Sequence, residues 1–161
     1  MVRLSKLADY GLVVMACVAQ SRQKQPLRTA RDLAAESKLP LPTVSRLLKM
    51  LLQGKLLVSH RGNRGGYALA REPRNISLAE IIAALEGPIA WTECSTGSAG
   101  MCELESCCSI KRNQRLISRV VRGALQKITL SQLIEPLSLT TIQDAPGGLV
   151  ARIGVSSGRI Q

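Results

Sequence analysis

The sequence predicts a mainly α fold: a winged helix-turn-helix with a long C-terminal dimerisation helix. Three observations predict it. Three short helical segments precede two strand-like runs around a Gly- and Arg-rich turn. A later segment carries an apolar stripe at heptad-like steps. The core material is aliphatic, with 45% hydrophobic residues but no Phe, one Trp and two Tyr in 161 residues. Aliphatic cores of this kind suit packed helices.

Leu4, Leu7, Gly11, Val14 and Val18 recur at three- and four-residue steps, which predicts an amphipathic first helix over 4–20. Thr29 is placed to cap a second helix in RTARDLAAESK, with Leu33 and Ala34 turned inward. The LPLP run breaks that helix, and Pro42 suits the first turn of a third, TVSRLLKMLLQ, which Gly54 ends. The polar face of this third helix carries Thr43, Ser45, Arg46 and Lys49. Two short helices joined by a tight break read as a helix-turn-helix, and these side chains can reach phosphates and base edges.

LLVSH and YALA then flank RGNRGG, a hairpin in the position of a wing. Arg61 and Arg64 at its tip suit the narrow, electronegative minor groove. His60, at the wing's base, reads as a phosphate or packing residue rather than a metal ligand. Ser77 and Glu80 form a capping-box pattern for a fourth helix, SLAEIIAALEG. Ile110, Ile117, Val120 or Val121, Ala124 and Ile128 then mark a long helix whose stripe is predicted to pair with its twin in a homodimer. Lys111, Arg115, Arg119 and Arg122 make a basic stripe on it, the ordinary reading of which is a solvated face. TLSQLI adds a short terminal helix.

The predicted division is therefore 1–74 for the winged helix-turn-helix, and 75–135 for a linker helix, a cysteine loop and the dimerisation helix. Residues 136–161, rich in turn formers, are expected to be a flexible tail.

Charge separates these parts. Residues 1–74 carry 14 Lys/Arg against 4 Asp/Glu, whereas residues 75–161 carry 8 against 7. A basic front half implies a polyanionic partner, double-stranded DNA. No export signal or membrane-length apolar run is present in the sequence, so a cytoplasmic protein without a membrane partner is expected. Paired carboxylates in a cleft, a nucleophile with a base and a Walker-type loop are all missing, so no enzyme is expected.

Cys94, Cys102, Cys107 and Cys108 crowd into fifteen residues, while Cys17 lies near the apolar face of the first helix and reads as a buried structural thiol. In a reducing compartment such a cluster implies metal or redox chemistry. Three readings stay open: an iron–sulfur cluster, a structural zinc site, and a metal-free thiol switch.

RLSKLADYGL, the helix-turn-helix, RGNRGGY, SLAEIIAALEG and the cysteine loop occur in an order that resembles one family over roughly residues 2–135. It is the Rrf-type family of iron–sulfur-dependent winged-helix regulators that includes IscR and NsrR. LPLPTVSR, RGNRGGY and EGPIAWTEC look closest to its regulators of SUF cluster-assembly genes.

The resemblance implies a DNA-binding homodimer, a repressor sensing cluster status, redox stress or nitric oxide. It implies a 2Fe–2S or 4Fe–4S cluster as cofactor. Thr43, Ser45 and Arg46 become base-proximal candidates and Arg61 the minor-groove candidate, with Lys49 and Arg64 on phosphate. Cys102 and Cys108, with five residues between them, match two of the family's ligands, and Cys94 supplies the first, with Cys107 as an alternate to Cys108. One branch of the family uses a histidine where Lys111 stands. Another uses an aspartate of the partner's first helix, the position that Asp9 matches. Asp9 is thus either a fourth ligand from the partner subunit or a surface carboxylate near a helix N-terminus.

Overall fold

The computed structural model describes residues 4–22, 25–62, 65–90, 92, 95, 102–103, 107–135, 137–141 and 151–155. Cys94 and Arg64 lie outside the described residues.

Helix α1 (Lys6–Ser21) starts two residues later than its apolar repeat, because Ser5 accepts hydrogen bonds from the Leu7 and Ala8 amides. Leu4 is left outside the helix and exposed, while Gly11, Val14 and Val18 are buried. Helix α2 (Ala30–Ser37) opens on a capping box in which Thr29 and Asp32 bond reciprocally. It ends at Lys38 in the left-handed region, and Leu33 is fully buried. Helix α3 (Leu41–Gln53) follows at once, with Pro42 in its first turn. Val44, Leu47, Leu48 and Leu51 on one face are fully buried.

Gly54 follows α3 as predicted but does not supply the left-handed turn. Its φ is −73°, and Lys55 takes the positive value of 56° instead. Gly54 is needed for close approach: a Cβ there would lie 2.6 Å from that of Ala84, on the neighbouring α4.

Strands β1 (Leu57–His60) and β2 (Gly66–Leu69) pair antiparallel, Leu57 facing Leu69 and His60 facing Gly66. A single-residue bridge adds Arg28 to this sheet: its amide donates to the Tyr67 carbonyl at 3.0 Å and its carbonyl accepts from the Tyr67 amide at 2.8 Å. The wing is thus held to the segment between α1 and α2.

A 3-10 turn (Pro73–Asn75) leads to α4 (Leu78–Glu86), whose capping box pairs Ser77 with Glu80. Helix α5 (Lys111–Lys127) packs on α4. The short α6 (Leu130–Ile134) returns to α1, capped by Thr129 and Gln132. The Leu78 amide donates to Ile128 and the Leu130 amide to Ile76, both at 2.8 Å, so the start of α4 and the entry to α6 are laced together. One apolar cluster runs across residue 74, joining Val14, Met15, Leu47 and Leu56 to Ile76, Ile81, Leu85 and Leu130.

The segment expected as a flexible tail contains backbone pairing. Strands β3 (Leu137–Thr141) and β4 (Ala151–Val155) form an antiparallel hairpin, Leu139 opposite Ile153. The five-residue strands are too short for their alternation to stand out in the sequence, and their partner lies ten residues away.

Candidate functional site: a basic recognition face and a thiol loop

The face of α3 opposite its core stripe is open. Ser45, Arg46 and Lys49 are exposed and Thr43 is half-buried. The predicted polar face is therefore presented together, anchored from behind by four buried aliphatic side chains. Leu41 and Pro42 at the start of α3 are also exposed, an apolar contribution that a reading of polar positions missed. Apolar groups at that end of a recognition helix can meet thymine methyls.

At the wing, Arg61 and His60 are exposed. His60 is thus available to a phosphate and is not a packing residue. Gly62 turns the tip with φ at 114°, a region that disfavours side chains, and the Gly65 amide closes it on the Gly62 carbonyl at 2.9 Å.

Arg28 is the positioning residue that the sequence did not reveal. Only 9% exposed, it donates to Ser21 of α1 and pairs with Glu36 of α2 while its backbone holds Tyr67 of the wing. One side chain thereby ties α1 to the helix-turn-helix, and its main chain adds the wing. A lone bridge residue leaves no periodic signal. An exposed ion pair, Arg22 with Glu72, joins the end of α1 to the segment after the wing and holds the Glu72 carboxyl below its ordinary range.

The thiols divide by burial. Cys17 is 8% exposed, and burial, with Glu36 nearby, pushes its thiol up from the ordinary value. It is an inert core thiol, as its place on α1 suggested. Cys102 and Cys108 are half-buried and Cys107 is exposed. Among the described residues no three Cys, His, Asp or Glu side chains converge in a way that could hold a metal ion. Asp9 therefore does not join Cys102 and Cys108 within one subunit. It is exposed on α1, one turn before Val13, which is 40% exposed.

Helix α5 has one buried residue, Ser118, in seventeen. Leu116, Ile117 and Val120 are 52%, 42% and 64% exposed, and Ile110 is exposed before the helix begins. The predicted single stripe splits in two. Val121 and Ile128 are half-buried, Val121 beside Ile82 of α4, while Ile117 and Val120 face outward together with Leu116, which the stripe omitted.

A cavity of about 570 Å³ opens between the thiol loop and α5. Cys108 lines one side, and Lys111, Arg112, Arg115, Arg119 and Arg122 line the other. None of the described lining residues is acidic. Like charges at this spacing cost a helix roughly 0.2–0.5 kcal/mol per pair, and Arg122 at the far end of the row donates to the Ile89 carbonyl at 2.9 Å.

Comparisons with known proteins agree with this architecture. Residues 4–136 match the Rrf2 family, described as iron-dependent transcriptional regulators. A putative HTH-type regulator of Mycobacterium tuberculosis is 35% identical over 88 residues, 55% of this chain and 54% of that protein, so the chain spans about half the length of that relative. The regulator IscR of Cronobacter sakazakii is 27% identical over 142 residues, 88% of this chain and 86% of its own. Among solved structures, CymR of B. subtilis, titled a global cysteine regulator, superposes with a TM-score of 0.64 at 28% identity, covering 83% of this chain and 97% of CymR. T. potens IscR gives 0.63 at 27%, covering 83% and 86%.

Proposed function

The chain belongs to the Rrf2 family of winged-helix transcriptional regulators, and on that premise we propose that it is a homodimeric repressor whose cysteine loop senses iron–sulfur status, redox stress or nitric oxide. Its target genes on this reading are those of cluster assembly, and its compartment is the cytoplasm. No helix among the described residues is long and apolar enough to cross a membrane.

The observation that carries the reading is one of placement. Two free, half-buried thiols, Cys102 and Cys108, stand directly before the helix whose outer apolar face is bare. Leu116, Ile117 and Val120 on α5, with Val13 on α1, supply an apolar surface for a second copy. Asp9, one turn from Val13 on the same side of α1, would on this reading serve a thiol loop of the partner subunit.

Soft thiolate donors match iron in sulfide-rich cores. Cys94, Cys102 and Cys108 would hold a 2Fe–2S or 4Fe–4S cluster, with Cys107 as the alternate and Asp9 of the partner subunit as fourth ligand. When bound, the cluster supplies a centre that oxidants and nitric oxide attack. The chain's own residues do the rest. Cys108 stands three residues before α5, so what it binds would bear on how two copies of α5 pair. That pairing sets the spacing of the two α3 helices, and half-site spacing on DNA is fixed by such geometry. Ser45, Arg46 and Thr43 would meet base edges, Lys49 and Arg64 phosphate, and Arg61 the minor groove.

Anaerobic purification followed by iron, sulfide and zinc analysis tests the reading. Iron and sulfide in equal, near-stoichiometric amounts support it. Stoichiometric zinc with no reconstitution by iron and sulfide overturns it in favour of a structural zinc site. A metal-free switch is the second reading, favoured by the exposure of Cys107. It predicts that activity follows reversible thiol oxidation in metal-free protein.

A further inference from the structure

We propose that His60 is a DNA-phosphate contact of the wing whose strength is set by pH, so that the chain grips DNA more tightly as its surroundings become more acidic. This requires only that the chain binds DNA, and it is independent of anything held by the cysteine loop.

His60 is the single histidine of the chain, and histidine is the side chain whose ordinary charge change falls between about pH 5 and 8. It is exposed at the end of β1, one residue before Arg61. Leu57, at the other end of the strand, is 2% exposed and belongs to the core. Strand alternation sets Val58 and His60 on the face away from it, and Val58 is 40% exposed. The backbone of His60 is held in place. It pairs with Gly66, and Gly65 passes so close that a Cβ there would lie 2.4 Å from the His60 carbonyl oxygen. A donor anchored in this way loses little freedom on binding.

The surrounding charges decide what the ring can pair with. From Ser37 to Arg71 the sequence holds seven Lys/Arg and no Asp or Glu. The two acids that bracket this run are already engaged, Glu36 by Arg28 and Glu72 by Arg22. The elements packed on β1 are α3 and β2. Their charged or titratable groups are Arg46, Lys49 and Tyr67, and Lys55 and Arg61 flank the strand itself. Arg28, whose backbone bridges to Tyr67, has its guanidinium on Glu36 and Ser21. Among the described residues no carboxylate forms an ion pair with His60.

An imidazolium here finds its anion outside the chain, and a wing beside a recognition helix meets a phosphate backbone. A phosphate favours the charged ring, so the complex holds the proton more tightly than the free chain does. By linkage the gain in affinity is full at acid pH and is lost as pH rises through the histidine range.

The test follows binding of the full, reduced chain to a fluorescent duplex of random sequence between about pH 6 and 8, at fixed ionic strength. The native chain should bind about threefold to tenfold more tightly at the acid end. His60→Gln should hold the weaker, alkaline-end affinity throughout, and His60→Lys should reach the acid-end affinity at both ends. At the acid end, log affinity should fall with log salt more steeply for the native chain than for His60→Gln, by roughly 0.9 for each wing engaged. A native chain whose affinity is flat across the range overturns the proposal. So does a pH dependence that His60→Gln retains, or a His60→Lys that gains nothing at the alkaline end. Failure of every form to bind the duplex at any pH would overturn the DNA-binding assignment as well.

Discussion

The front and back of this chain solve opposite problems with similar helices. In α1 to α3 every helix buries an apolar face, and eleven core side chains, most of them from this half, are sealed below 2% exposure. Helix α5 is longer than any of these yet buries a single serine and leaves three large aliphatic side chains open. A closed core makes a rigid platform on which Arg46 and Lys49 are held at fixed spacing. A helix with an unsatisfied face depends on a partner, and its pairing can therefore respond to what happens beside it.

Substitutions at matched positions separate the two regions. Leu47→Ala in the front core should cost about 2–5 kcal/mol of unfolding free energy by chemical denaturation, since its site is fully buried. A cost under about 1 kcal/mol would mean that the platform is not rigid. Val120→Glu in α5 should leave helical content unchanged by circular dichroism while shifting the protein from dimer to monomer in light scattering. An unchanged dimer would move the interface off α5.

Arg61→Ala should weaken operator binding by about 1–3 kcal/mol and affect nonspecific DNA less. Equal losses on both would reduce Arg61 to a phosphate contact. Thr29→Ala removes one half of the α2 capping box and should cost about 1 kcal/mol.

The smallest effect is acid sensitivity at the two boxes. Hydrogen bonds from Thr29 hold the Asp32 carboxyl below its ordinary 3.8. Burial raises the Glu80 carboxyl, but hydrogen bonds from the Ser77 amide, Arg71 and the Ser77 hydroxyl outweigh it and hold it below 4.5. Depressed carboxyls stabilise the fold fully above the ordinary values and lose that contribution as pH falls through the lowered ones. Melting temperatures should thus fall below about pH 4, and less steeply in Glu80→Gln.

Legibility in the sequence followed the range of the interaction. The capping signals at Thr29 and Ser77 act within four residues, and both were readable. The α3 polar face was readable because its apolar complement repeats at helical spacing. The Arg28 bridge and the β3–β4 hairpin escaped, since each depends on a partner far along the chain. The α5 stripe was seen but merged, because two apolar faces, one towards α4 and one outward, overlap in a single helical repeat. Gly54 ends α3 as expected, but the sequence does not show that Lys55 takes the left-handed backbone or that Gly54 serves close packing against Ala84.

The central claim is that the back of the chain governs the DNA affinity of the front. It is tested most directly by measuring operator affinity of cluster-loaded and metal-stripped protein, in the native chain and in Cys102→Ala combined with Cys108→Ala. A clear difference between loaded and stripped native protein, abolished in the double variant, is the predicted result. Equal operator affinity for loaded and stripped native protein would contradict it.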